Sequence, residues 1–268
     1  MLGMAVGTVG TLVGVGGGFI LLPILVILYP DISHENLAAV TMIVILANSI
    51  SGVFACNKKG RINYKAGLLF SITAVPAAVI GSYFTSYIPL VFFKILLGIV
   101  MIIVSILLVT GKKKSDKNKI KKINSKYILT GRISEPNKEK VVWSYDFRIG
   151  MIFSFIASFI ASILGIGGGV FHVPAMVKFM RFPIIAAAAT SQFIIVFMSI
   201  ASIFTHVVSG NFNQGIDLGI IISIGAVPGA FLGSKISSLI NNNRIVVIFS
   251  IIMAFIGMKS LVTVFFKI

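Results

Sequence analysis

Two runs of glycine and a set of uncharged polar side chains are the features of this 268-residue chain whose types and spacing suit chemistry. The segments GVGGGFILLP (14–23) and GIGGGVFHVP (165–174) each place three consecutive glycines ahead of an apolar stretch and a proline. Such a run favours non-helical backbone. The helix that restarts after it offers unpaired N–H groups at its positive end, where small anions bind. Two copies, at Gly16, Gly17 and Gly18 and at Gly167, Gly168 and Gly169, suit convergence on one ion. The alternative, that these glycines only let helices pack closely, is weakened by their duplication.

The next apolar segment of each half carries Thr41, Asn48 and Ser51, or Thr190, Ser191, Gln192, Ser199, Ser202 and His206. Spacings of three, four and seven place several of these on one helical face, as an interior polar stripe. Helix-to-helix bonding and back-bonding to the helix's own carbonyls compete with a ligand role. His206 and Cys56 each stand four residues before a glycine, Gly210 or Gly60, and so occupy equivalent places. His206 is the residue suited to exchange a proton or donate to an anion; His172 is a second, weaker candidate.

Several chemistries are excluded. The acids Asp31, Glu35, Asp146 and Asp217 fall at segment boundaries or in loops, leaving no intramembrane carboxylate for a cation pump or an aspartic protease. No HExxH or GK[ST] sequence occurs, so a zinc protease and a nucleotide loop are both absent. The lone Cys56 permits no internal disulfide and no CxxC site. The expectation is no enzyme and no cofactor.

The elements that hold these residues follow from composition. Hydrophobic residues make up 57% of the chain and charged ones 11%, against about 25% charged in an ordinary soluble domain. Mean hydropathy is +1.05. Eight apolar segments, at about 3–29, 37–56, 66–86, 89–110, 149–179, 184–208, 216–240 and 245–266, give an all-α, polytopic integral membrane protein. No basic n-region precedes the first segment, which is not expected to be a cleaved signal. Of the 23 Lys and Arg, eleven lie within 112–140 against three acids. The stretch 111–147 therefore reads as a basic cytoplasmic loop between a first repeat, 1–110, and a second, 148–268. The net charge of +16 is concentrated there and needs no nucleic acid to explain it.

The two halves match in four ordered places: the glycine runs, AAVT (38–41) with AAAT (187–190), GRIN (60–63) with GNFN (210–213), and AVPAAVIGS (74–82) with AVPGAFLGS (226–234). This is the signature of an internal repeat. Each repeat opens with either a bent, glycine-broken spanning helix or a re-entrant hairpin. If it is re-entrant, each half crosses three times and the halves are inverted. All Lys and Arg except Lys94, Lys259 and Lys267 then lie on the cytoplasmic side, which favours the inverted arrangement. Inverted repeats with broken helices recur in secondary transporters.

The glycine motifs, Thr41 in its AxT, AATS (188–191), HVVSGN (206–211) and AVPGAFLGS resemble the TauE/SafE sulfite exporter family over nearly the whole chain. The resemblance implies a permease for small sulfur-containing anions such as sulfite, thiosulfate or a sulfonate, most often exporting them. Cys56 stands where the family has a histidine, and Val40-Thr41-Met42 where it has GTS. The expectation is a multi-pass protein of the plasma membrane that moves a small anion. Gly16–Gly18, Gly167–Gly169, Thr41, Asn48, Thr190, Ser191, Gln192 and His206 would bind it, with protons as a coupling ion and a homo-oligomer as open questions. An anion channel and a membrane anchor for a cytoplasmic partner are the alternatives.

Overall fold

A computed structural model describes residues 1–110, 127–133, 141–212, 214–237 and 242–265. The most basic part of the central loop, Asn213 and Lys267 lie outside the described residues. Among the described residues ten helices form: α1 (Leu2–Val13), α2 (Gly18–Leu28), α3 (His34–Asn57), α4 (Tyr64–Thr85), α5 (Leu90–Thr110), α6 (Phe147–Ile163), α7 (Gly169–Lys178), α8 (Ile184–Val208), α9 (Ile216–Ile236) and α10 (Asn242–Phe265). Among the described residues α3, α4, α8 and α9 are long and apolar enough to cross a bilayer. The polarity is inside out relative to a soluble protein. Ile72, Ile152, Phe204 and Ile221 are each more than 60% exposed, while Asn48, Ser49, Gln192 and Ser199 are fully buried. Lipid, not water, suits that exterior.

The two glycine runs break the apolar segments 3–29 and 149–179 into helix pairs, and both breaks are hairpins rather than bends. Phe153 on α6 stacks on Phe179 just after α7, ring centroids 4.6 Å apart, although a continuous helix would separate residues 26 apart by about 39 Å. In the first half a Cβ added at Gly17 would lie 2.7 Å from the Val6 carbonyl oxygen, so the chain has doubled back beside α1. Gly17 holds φ +82, a conformation that a side chain rarely adopts.

Helix pairing is dominated by α1 with α9, α4 with α6, α5 with α10, α3 with α9, α4 with α8, and α3 with α8. Where α1 meets α9 the backbones touch: a Cβ at Gly7 would sit 2.4 Å from the Ala226 oxygen, at Gly229 2.4 Å from that of Met4, and at Gly233 2.3 Å from that of Thr8. Close approach of this kind is how helices associate where no hydrophobic force separates them from lipid. Gly229→Leu is accordingly expected to push α1 off α9 and destabilise the fold by about 1–3 kcal/mol. The check is the melting temperature of the detergent-purified protein, which should fall by several degrees; an unshifted melt would contradict this packing.

One departure from the all-helical expectation lies in the central loop. Within 111–147, β1 (Ile128–Ile133) and β2 (Val141–Asp146) form an antiparallel hairpin in which Gly131 faces Trp143 and Leu129 faces Tyr145. The hairpin is packed rather than solvated. Trp143 and Tyr145 are buried in a cluster with Phe70 of α4, Val173 and Met176 of α7 and Ala187 of α8. Pro23, Pro76, Pro174 and Pro228 all lie inside helices.

Candidate functional site

The two glycine hairpins meet at the centre of the molecule. A Cβ at Gly169 would lie 2.5 Å from Val15 Cα and 2.6 Å from the Gly14 oxygen, and one at Gly18 would lie 2.6 Å from the Ile166 oxygen. The turns are therefore in direct backbone contact, with Ile45 of α3 and Ile195 of α8 packed beside them. No ion fits between Val15 and Gly169 in this conformation. The N–H groups of the two turns are also not all available: that of Gly16 donates to Gly10 O at 3.2 Å. In the first turns of α2 and α7 the N–H groups of Ile20 and Phe171 are taken as well, donating to Gly17 O at 3.2 Å and Gly168 O at 3.1 Å.

Several of the candidate side chains hold the hairpins in place. The Ser191 hydroxyl donates to Gly14 O at 2.5 Å, and Gln192 Nε2 donates to Gly10 O at 3.1 Å, so α8 grips the first turn. Thr11 Oγ1 donates to Asn48 Oδ1 at 3.1 Å, joining α1 to α3. Thr190 Oγ1 accepts from the Asn63 N–H at 3.0 Å, fixing the start of α4. Thr41 and Ser51 turn inward on their own helix, donating to Leu37 O and Ala47 O. His172 secures the second turn: its Nδ1 donates to Gly168 O at 2.7 Å, and its Nε2 lies 3.0 Å from Ser154 Oγ.

What remains after these bonds is more unpartnered donors than acceptors, the acceptors being Gln192 Oε1 and Asn36 Oδ1. Asn48 Nδ2 and the hydroxyls of Ser49, Ser82, Ser158 and Ser199 are buried without a partner, as is His206 Nε2. Ser49 lies beside the first turn, its Oγ 3.4 Å from where a Cβ of Gly16 would stand. Ser199, Ser202 and His206 share one face of α8, and Ser202 Oγ meets Ser162 Oγ of α6 at 3.2 Å. Asn211 Nδ2 faces His206 Nδ1 at 3.1 Å and donates to Ser86 Oγ at 2.8 Å. An amide N–H must meet an acceptor, so the ring proton sits on Nε2 and points at no partner. Each such buried orphan costs about 1–3 kcal/mol unless something accepts from it. Among the described residues no carboxylate is buried and no cluster of His, Cys, Asp and Glu suited to a metal forms.

Reading from the sequence located Asn48, Ser199 and His206 on the unpaired set and missed Ser49, Ser82 and Ser158. Thr11 and Ser162 were legible by another signal, since they are related by the same offset of 151 (162 minus 11) as the two glycine runs. Cys56 and His206 behave differently despite their equivalent places. The Cys56 sulfur lies 4.0 Å from Ser234 Oγ.

Comparisons with known proteins agree with this architecture. The family described as Sulfite exporter TauE/SafE matches residues 1–260. The "Probable membrane transporter protein YunE" of Bacillus subtilis (strain 168) is 32% identical over 267 residues, covering 96% of this chain and 94% of its own. The "Probable membrane transporter protein MJ0441" of Methanocaldococcus jannaschii is 26% identical over 275 residues, covering 96% and 92%. No solved structure matches the chain. Family, relatives and apolar helices together make it a multi-pass membrane transporter and not an enzyme, and the chain belongs to the sulfite exporter TauE/SafE family.

Proposed function

We propose that this transporter is a plasma-membrane permease for a small anion, sulfur-containing by the family's description, and that it works in the direction of export. One observation carries the reading: among the described residues the interior holds unpartnered N–H and O–H donors at Asn48, Ser49, Ser158, Ser199 and His206, outnumbering the unpartnered acceptors Gln192 Oε1 and Asn36 Oδ1, and no acid is buried. Donors in excess of acceptors favour a ligand that only accepts, and a small oxyanion is such a ligand. Neutral donors also bind it weakly enough to let it go, which suits a carrier more than a scavenger.

The same reading includes two inverted repeats. In support, the main helix pairings are unchanged when α1–α5 are exchanged for α6–α10. A Cβ at Gly14 would meet Ala188 and one at Gly165 would meet Ala38, an offset of 150 (188 minus 38). That is one residue beyond the 149 suggested by AAVT and AAAT, and it sets Thr41 opposite Ser191 rather than Thr190. With each glycine hairpin re-entering on one side, three crossings per half invert the second half. Ions then alternate between the two faces as the hairpins part and close, with His206 positioned to exchange a proton.

The test is the thermal stability of purified protein against sulfite, thiosulfate, sulfoacetate, sulfate, acetate and chloride at matched ionic strength. A ligand bound only by the folded state raises stability with the logarithm of its concentration. Selective stabilisation by a sulfur anion, followed by saturable counterflow in proteoliposomes, is the expected result. A flat panel together with no counterflow of any of these anions would overturn the reading.

A further inference from the structure

We propose that Asn63, Trp143 and Tyr145 form a second site for a small anion, roofed by the β1–β2 hairpin and next to Thr190. The inference rests on the anion-permease reading and adds a place where the ion is held before it reaches the transport path. Asn63 lies at the start of α4, where its Oδ1 accepts from Ala66 N and its own N–H donates to Thr190 Oγ1. Its Nδ2 has no partner. Directly above it, Gly131 of β1 brings two groups to one point: a Cβ there would lie 2.7 Å from Asn63 Nδ2 and 2.3 Å from Trp143 Cε2, the atom bonded to the indole nitrogen.

Trp143 Nε1 is the second unpartnered donor and the Tyr145 hydroxyl the third. The Tyr145 hydroxyl stands beside the Asn63 side chain. Asn63, Trp143 and Tyr145 are 9%, 6% and 3% exposed, so water does not serve these groups freely. Burial pushes the Tyr145 hydroxyl up to about 12, against the opposing effect of Asn63, so it stays a donor at any physiological pH. Three unpartnered polar groups of three different residues thus lie around one dry corner, where the Tyr145 oxygen is an acceptor beside the Asn63 side chain.

The surroundings match the ligand in charge. Lys65 follows Asn63 by two residues, Arg132 follows Gly131, and Arg181 precedes Phe182, and all three cations are exposed. Phe182 lies 4.9 Å from the rings of both Trp143 and Tyr145, forming the apolar wall of the corner. Among the described residues of the two strands the acid is Asp146, which is engaged in capping α6 through Arg148 N at 2.9 Å. Exposed cations on the elements that carry the site raise the local concentration of anions, and the buried donors select those that accept several hydrogen bonds.

Trp143 is the only tryptophan in the chain, so the site carries its own reporter. Sulfite, thiosulfate, sulfate and chloride, titrated at matched ionic strength into the full-length purified protein, are expected to shift Trp143 emission saturably for at least one sulfur anion. Asn63→Asp keeps the cap on Ala66 N but replaces the donor by a charge, and should raise the half-saturating concentration at least ~10-fold. Tyr145→Phe keeps the ring and should raise it severalfold, which preserves the test if Asn63→Asp fails to fold. Counterflow with unchanged Trp143 emission would sink this site while leaving the permease reading intact. Equal titrations of wild type and both variants would also overturn it, and loss of both counterflow and emission change in wild type would remove the permease reading with it.

Discussion

Gly169→Leu is expected to lower initial anion flux at least ~100-fold while the protein still reaches the membrane in wild-type amounts. A Cβ at this position would stand 2.5 Å from Val15 Cα and 2.6 Å from Gly14 O, both backbone atoms that cannot rotate away. The two hairpins must then separate by an ångström or more, and sites that act by preorganisation lose about two orders of magnitude for a displacement of that size. Ser191 and Gln192 would lose their registration on Gly14 O and Gly10 O in the same movement. Gly210→Asn is the control: Gly210 has φ +73 with nothing within 4 Å of an added Cβ, and asparagine tolerates that backbone. Near-normal flux in Gly210→Asn beside near-zero flux in Gly169→Leu would assign the effect to contact between the turns. Retained flux in Gly169→Leu would remove the hairpins from the mechanism.

The elements were largely legible because a membrane helix announces itself as an apolar run, and the breaks because three glycines leave no side chains to hold a helix. The sense of those breaks was not. Whether GVGGG bends a helix or reverses it depends on what the following helix packs against, and the deciding contact, Phe153 on Phe179, joins residues that sequence spacing does not connect. The hairpin in the central loop was hidden by its flanks. VVWSYD alternates large inward residues, Trp143 and Tyr145, with outward Val142 and Ser144, a period-two pattern too short to stand out beside a run of lysines.

The site divided along a different line. Helical Ser and Thr either bond back to their own turn or face a neighbour, and spacing cannot tell which. Thr41 and Ser51 took the first course and Ser191 the second. Asn48 had no local choice, since an asparagine in mid-helix needs partners from elsewhere, and it was the residue most safely read as interior. His206, near a helix end, could from sequence equally have faced water, and its free Nε2 depends on Asn211 five residues on.

Asn48→Asp separates an anion from every other cargo. The substitution is isosteric, and Thr11 Oγ1 can still donate to the retained Oδ1 at 3.1 Å. The unpartnered Nδ2 becomes a carboxylate oxygen in a fully buried position. Two like charges about 4 Å apart repel by about 4 kcal/mol at an effective dielectric of 20, so anion affinity should fall by about three orders of magnitude. Lowering the pH until the introduced carboxylate takes up a proton should restore part of the loss, because the neutral acid can again donate. Asn48→Leu provides the scale without the charge: it deletes one donor and should cost about tenfold. A cation in the same place would give the opposite sign, binding more tightly to Asn48→Asp. Ligand-induced stabilisation and counterflow, measured for both variants across pH, therefore read the charge of the cargo from a single side chain; tighter binding in Asn48→Asp would refute the anion.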